Sequence, residues 1–253
     1  MIKSKKLSKF RDIEHAFFNR LGGKSNGIYK SLNCGPGSSD DRKNIFNNLE
    51  IVKRKINSTS NKILLLNQIH SNKFLYISKK TKLNKYKLVG DAIITNKSNT
   101  PIAVLTADCA PILMFDNNNK IIAAIHAGWK GAYKGIVKKV LNFMIKKGSS
   151  VDDITAVIGP CISLKSYEVK QDFIEKFIKK DAKTKVFFKR IKNKNYFSLN
   201  EYIAYQLKIL NIKKIEIINK DTFNVKNNFF SARRSKSCNE NDYGRNISVI
   251  MIN

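Results

Sequence analysis

Apolar positions along the chain fall into short β-type runs interleaved with a few helical stretches. Ser39, Asp40 and Asp41 are good helix caps and precede RKNIFNNLEIVKRKI, where Ile45, Leu49, Ile51 and Val52 give one apolar face; a helix is predicted there. Then come KILLLNQIH, FLYIS, DAIITN, PIAVLTAD, PILMFD and KIIAAIH, rich in Ile, Val and Leu and bounded by Asn, Asp, Lys and Gly, which read as strands. PIAVLTAD and KIIAAIH are almost wholly apolar, as expected of strands buried on both faces. After AGWKGAYKG, residues Ile136, Val137, Val140, Leu141, Met144 and Ile145 recur at helical spacing, and Gly148 supplies the stop. DITAVIG reads as a strand, QDFIEKFIKK and LNEYIAYQLKIL as helices, and KKIEIIN and NISVIMIN as late strands. The first 45 residues are dominated by turn signals around LGGKSNG and CGPGSS. The expectation is an α+β fold of mixed β-sheets covered by helices, one domain over residues 1–253, with a short basic N-terminal extension over about residues 1–12.

Composition narrows the function classes. With 42% hydrophobic and 10% aromatic residues the balance is globular. The formal charge is +29, from 48 Lys and Arg against 19 Asp and Glu. Lys is spread along the chain beside abundant Asn and Ile, and no RNP1 string, zinc finger or basic-zipper pattern is present; the charge reads as compositional bias, with no specific nucleic-acid partner. A salt-sensitive affinity for polyanions follows from it in any case. Four cysteines, Cys34, Cys109, Cys161 and Cys238, include no C-x-x-C pair, so free thiols in a reducing compartment are expected. The basic N-terminus lacks an apolar signal region, and no run approaches membrane-spanning length; a cytoplasmic protein without a membrane partner is expected. A homodimer is expected only from the general frequency of such assemblies.

The chain has three histidines, and two of them close apolar runs: His70 ends ILLLNQIH and His126 ends KIIAAIH. Cys109 follows PIAVLTAD directly. Two imidazoles and a thiolate suit a borderline-soft ion, and three protein ligands leave a fourth position for water or substrate, as in a catalytic zinc site. Their spacing of 39 and then 17 residues matches no compact metal motif. The same atoms also suit a metal-free reading, with Cys109 as nucleophile and His126 as its base.

The strings HAFFNRLGGKSNGIYKSLNCG, NQIHS, GDAIITN, LTADCAPILMFD, AAIHAGWKGAYKGIV, IGPCI with SYEV, and FFSARR with DYGR occur in this order. Together they resemble the YfiH-type family, also called laccase-domain or polyphenol-oxidase-like proteins, whose members are described as purine nucleoside phosphorylases with adenosine deaminase activity. The resemblance runs from about Ile13 to the C-terminus, and the pairing of TADC with HAGW(K/R)G is specific to the family. It implies a metal held by His70, Cys109 and His126, Zn²⁺ with copper as the other candidate. It implies phosphorolysis of adenosine, inosine and methylthioadenosine, deamination of adenosine, and small-molecule partners, a purine nucleoside and phosphate.

For phosphate the candidates are Arg20, Lys130, Arg233, Arg234 and Arg245, since the guanidinium fork matches phosphate and AGWKGAYKG leads into a helix N-terminus. Asp108, beside Cys109, is a candidate for orienting a ligand or moving a proton, against a plain turn or cap role. His15 reads as a lining or hydrogen-bonding residue and Cys161 as a buried thiol. Phe17, Phe18, Tyr29, Trp129 and Phe230 are candidates to stack on a purine, with core packing as their ordinary role.

Three motifs depart from the family pattern: IGPCI continues as SLKSYEV, the C-terminal motif reads DYGR, and Asp221-Thr222 stands where a Cys-Thr pair is frequent. They leave substrate preference open. Two alternatives stand beside the nucleoside enzyme: a cysteine-type hydrolase editing peptidoglycan precursors, and a copper-dependent phenol oxidase, for which ligands to only one metal are visible.

Overall fold

The computed structural model describes residues 1–78, 81 and 88–253. In chain order its elements are β1 (Ile13–Phe17), α1 (Arg42–Lys55), β2 (Phe74–Ile77), β3 (Ala92–Thr95), β4 (Ile102–Thr106), β5 (Ala110–Asp116), β6 (Ile121–Ala127), α2 (Trp129–Tyr133), α3 (Ile136–Lys146), β7 (Ile154–Ile158), β8 (Glu168–Val169), α4 (Gln171–Lys180), β9 (Phe188–Ile191), β10 (Lys194–Phe197), α5 (Leu199–Ile209), β11 (Lys214–Ile217), α6 (Ala232–Ser237) and β12 (Asn246–Ile252).

Period-two alternation builds the layers. The central sheet runs β11-β7-β5-β6-β3-β2, with parallel pairs at both edges and antiparallel pairs between. Ile112 and Met114 of β5 point to one face, where Val137, Val140 and Leu141 of α3 and Ile203 and Leu207 of α5 cover them. Leu113 and Phe115 point to the other, against Val104 of β4 and Ile250 and Ile252 of β12. Those two strands belong to a three-stranded antiparallel sheet, β1-β12-β4. Its far face carries Ala16, Ala103, Ile247 and Val249 and is closed by Val52 of α1. β5, β6 and β7 are buried along their whole length, which accounts for their unbroken apolar sequences. Each large aliphatic side chain so buried contributes roughly 1.5–3 kcal/mol.

Several expectations change. KILLLNQIH is not a strand. It makes isolated bridges from Leu64 to Ile102 and from Asn67 to Val89. The Gln68 side-chain amide replaces a ladder, donating to the Leu105 carbonyl at 2.7 Å and accepting from the Leu105 N–H at 2.8 Å. IEHAF, inside the turn-rich N-terminal region, forms β1, and AGWKGAYKG contains the short helix α2. A small sheet, β8-β10-β9, carries lysine-rich strands whose polarity hid them. The basic segment over residues 1–12 is packed against the rest of the chain. Leu7 is fully buried in the core, and the Ser4 hydroxyl is bonded to Glu216 at 2.7 Å.

Candidate metal centre

The centre lies where the chain steps from the β1-β12-β4 sheet to the central one. Residues 107–109 make that step between β4 and β5, and Asp108 turns the corner in the left-handed region (φ 83°), delivering Cys109 to the start of β5. His126, near the end of β6, stands opposite Pro111 of β5. His70 precedes β2 and also has a left-handed backbone, φ 55°.

One carboxylate fixes both histidines. Asp91, fully buried just before β3, accepts from the His70 N–H at 2.9 Å and from the Ser71 N–H and hydroxyl, each at 2.6 Å. Its Oδ1 lies 2.8 Å from His126 Nδ1, and its backbone carbonyl accepts from the His126 N–H at 2.7 Å. With Nδ1 bound to a carboxylate, His126 presents Nε2 as the free ligand atom, the arrangement that orients metal-binding imidazoles.

The ligand atoms of His70, Cys109 and His126 all lie within 4.8 Å of one another. Cys109 Sγ is 3.8 Å from His70 Nε2, and the two imidazole rings sit edge-to-face with centroids 4.8 Å apart. Bonds of about 2.0 Å to nitrogen and about 2.3 Å to sulfur in a tetrahedral site separate ligand atoms by roughly 3.5 Å, so a small closure accommodates Zn²⁺. Gly128 closes the back of the cluster: a Cβ there would lie 2.8 Å from Cys109 Sγ and 3.1 Å from His70 Cδ2. His126 is buried, Cys109 half-buried and His70 exposed, leaving the group open on one side to a cleft of about 460 Å³.

Charge in the metal-free cluster favours a Cys109 thiolate beside a protonated His126, whose ring must give up a proton when a metal binds. Burial pushes the Cys109 thiol up, but His126 and His70 outweigh it and bring the pKa down to about 6. For His126, burial opposes the charged form, and the Cys109 thiolate and Asp91 overcome it, raising the imidazole above its ordinary value. Asp91 is held down to about 2: burial works against ionisation, while the bonds from His126 and Ser71 prevail. A thiolate ready at neutral pH is what a soft or borderline metal requires.

The remaining sequence candidates divide. The Asp108 carboxylate points into the protein, where it accepts from Thr222 Oγ1 at 2.7 Å, Ser231 Oγ at 2.9 Å and the Arg233 N–H at 2.7 Å. Burial raises its pKa against the pull of those three donors. It pins the Cys109 corner to the N-terminus of α6, a positioning role. Arg245 lines the cleft, together with Tyr243, Gln68 and the Gly35-Pro36-Gly37 turn. Gly35 is required there, since a Cβ would meet Arg245 Cδ at 2.3 Å.

Among the described residues, Arg20, Lys130, Arg233 and Arg234 are not part of the cleft lining. The Arg234 guanidinium is taken up by the carbonyls of Thr222, Phe223 and Phe229. Arg233 donates to the Glu168 carbonyl and covers Tyr167. Arg20 stacks on Phe230, and Lys130 lies near the Trp129 ring. Phe17, Phe18 and Phe230 are core residues, and the Tyr29 hydroxyl bonds Asp242. Trp129 packs on Phe173, Cys161 is buried, and His15 accepts from the Ser4 N–H at 2.9 Å. Sequence reasoning missed Asp91, Gln68 and Tyr243 as parts of the site. Each lies within a motif, GDAIITN, NQIHS and DYGR, and that was the available signal.

A family model described as multi-copper polyphenol oxidoreductase laccase matches residues 14–253. A purine nucleoside phosphorylase of Bacteroides thetaiotaomicron is 33% identical over 265 residues, covering 100% of this chain and 96% of the relative. One of Haemophilus influenzae is 35% identical over 240 residues, 93% of each. The crystal structure of the hypothetical protein YfiH from Bacillus licheniformis superposes with a TM-score of 0.87 at 26% identity, over 95% of this chain and 93% of that one. A Neisseria meningitidis protein gives 0.84 at 27% identity, over 96% and 95%. With its fold and nearly its whole length matched, the chain belongs to the multi-copper polyphenol oxidoreductase laccase family, in its YfiH-type form.

Proposed function

We propose that this chain is a cytoplasmic, metal-dependent purine nucleoside phosphorylase acting on adenosine, inosine and methylthioadenosine, with adenosine deamination as a second activity. The observation that carries the reading is the meeting of His70, Cys109 and His126 at one wall of a cleft, braced by Asp91. The names of relatives matched along nearly their whole length supply the reaction class.

The donor set fits Zn²⁺, which when bound supplies Lewis acidity at the cleft wall. Copper also suits two imidazoles and a thiolate. Asp91 keeps His126 in the tautomer that faces the cluster. Leu65, Leu66, Leu88 and Leu105 offer an apolar bed for a purine, and Arg245, in the same lining and paired with Asp242 at 3.0 Å, offers a cation that phosphate would take over from that carboxylate. In phosphorolysis a phosphate oxygen bonds to the sugar C1′ as the glycosidic bond breaks, and the base leaves with a proton; in deamination water replaces the 6-amino group, which departs as ammonia.

The test is incubation of metal-loaded protein with adenosine and phosphate. Adenine with ribose 1-phosphate, and inosine or hypoxanthine from deamination, are expected. Release of neither base nor ammonia would overturn the reading.

One observation favours a second reading. Asp91, His126 and Cys109 stand in the order of a Cys–His–Asp relay, which needs no metal. A cysteine-type hydrolase, with peptidoglycan precursors as substrates, would keep its activity under chelation, whereas the phosphorylase would lose it. Phenol oxidation by several coppers is the weakest of the three. The chain has three histidines, and one of them, His15, is a buried hydrogen-bond acceptor.

A further inference from the structure

Thr106, the last residue of β4, puts a hydroxyl into the wall of the cleft at the metal centre. The residue is only 3% exposed. Its backbone is engaged in the ladder with Asn246, whose side-chain amide also donates to the Thr106 carbonyl at 3.1 Å. Its side chain is not engaged: among the described residues no group bonds Oγ1. Ser149 Oγ and Gln206 Oε1 are the unbonded side-chain atoms among the described residues that are sealed from solvent, and Thr106 Oγ1 is not one of them. The little surface Thr106 keeps belongs to the cleft. A buried hydroxyl without a partner is costly, and a valine would fill the same space without that cost.

The strand pattern gives the hydroxyl its direction. Ile102 and Val104 of β4 face the central sheet, while Ala103 faces α1. Thr106 continues the first set. On β6, Ile122 and Ala124 face back toward β4, and His126 continues that set. Thr106 and His126 thus look into one space from opposite sheets, and both line the cleft. Along the wall, Leu105 precedes Thr106 and belongs to the apolar bed, while Arg245 precedes Asn246, the ladder partner of Thr106. Thr106 stands between the bed for the base and the cation for phosphate.

We propose that Thr106 Oγ1 is a substrate-binding group that hydrogen-bonds the 2′,3′-diol of the nucleoside sugar, an assignment that rests on the phosphorylase reading. In phosphorolysis the glycosidic bond and the new bond to phosphate meet at C1′, so the sugar lies between base and phosphate. A threonine hydroxyl both donates and accepts, as the sugar hydroxyls do. Adenosine, inosine and methylthioadenosine differ at C6 or C5′ and share the diol. One fixed hydroxyl facing the diol therefore serves all three and disfavours nucleosides that lack it.

The test compares metal-loaded wild type, Thr106→Val and Thr106→Ser, each as the full chain, on adenosine and on 2′,3′-dideoxyadenosine with phosphate. Thr106→Val should lower kcat/KM for adenosine about tenfold and change that for the dideoxynucleoside by no more than about twofold, since the second substrate has no diol to lose. Thr106→Ser, which keeps the hydroxyl, should recover most of the loss. Metal content and melting temperature should stay those of wild type in Thr106→Val, because Oγ1 holds no protein group. Equal rates on adenosine by wild type and Thr106→Val, equal loss on both nucleosides, no rescue by serine, or loss of metal or fold in the valine variant would each overturn the proposal while the phosphorylase reading stands. A wild type that splits no nucleoside would overturn that reading and this assignment with it.

Discussion

Asp91 shows how one side chain sets the geometry of others. It reaches the backbone of His70, the backbone and hydroxyl of Ser71 and the ring of His126, so both imidazoles depend on it. Asp91→Asn should therefore weaken metal affinity about 10–100-fold while the protein still folds, measured by competition with a chelator. Cys109 carries the clearest pH signature. In metal-free protein its thiol is brought to about 6, because His126 and His70 outweigh the opposing effect of burial. Below that pH the thiol is protonated, and above it the thiolate reacts. Alkylation of the Cys109 peptide, followed by mass spectrometry, should be near its plateau at pH 8 and fall away through about pH 6; His126→Ala should move that fall upward, toward the ordinary thiol range. At this scale His70, Cys109 and His126 stood out because histidine and cysteine are scarce, but scarcity left a metal trio and a Cys109–His126 pair both open, and the motifs NQIHS, TADC and HAGW chose between them. Asp91 was not legible: its motif GDAIITN marks the place, but as one of 19 acidic residues it carries no sign of the side chains it reaches across the fold.

Elements decide how near the ligands come. The turn from β6 into α2 places Gly128 directly behind the cluster, with an ordinary backbone (φ −72°), so only space forbids a side chain there. Gly128→Ala should lower metal occupancy in purified protein at least several-fold while thermal stability changes little, measured by metal analysis beside a melting curve. Helices α1, α3, α4 and α5 and the buried strands could be read from periodicity, because their burial pattern is their sequence pattern. KILLLNQIH could not. A glutamine amide imitating a strand's hydrogen bonds leaves no periodic trace, and neither does the left-handed backbone at His70. β9 and β10 escaped because edge strands with lysines lack the apolar alternation on which such reading depends.

At the scale of the whole molecule, a charge of +29 acts on every encounter. Duplex DNA or RNA should bind weakly at low salt and detach as ionic strength rises, with the logarithm of the binding constant falling linearly against that of salt concentration. Cys109→Ala should leave that slope unchanged, since diffuse charge and the metal centre are separate properties; gel-shift titration at several salt concentrations measures it. No helix among the described residues is long and apolar enough to cross a membrane. The central sheet and the β1-β12-β4 sheet pack face to face between helices; Cys109 at the start of β5 and His126 near the end of the adjoining β6 are joined there by His70, from the segment before β2. The most direct measurement is the metal-to-protein ratio of wild type and of His70→Ala, Cys109→Ala and His126→Ala, each purified without added ions and checked by circular dichroism. About one metal per chain in the wild type, and almost none in three folded variants, is the expected result. Equal metal content in all four proteins would contradict it.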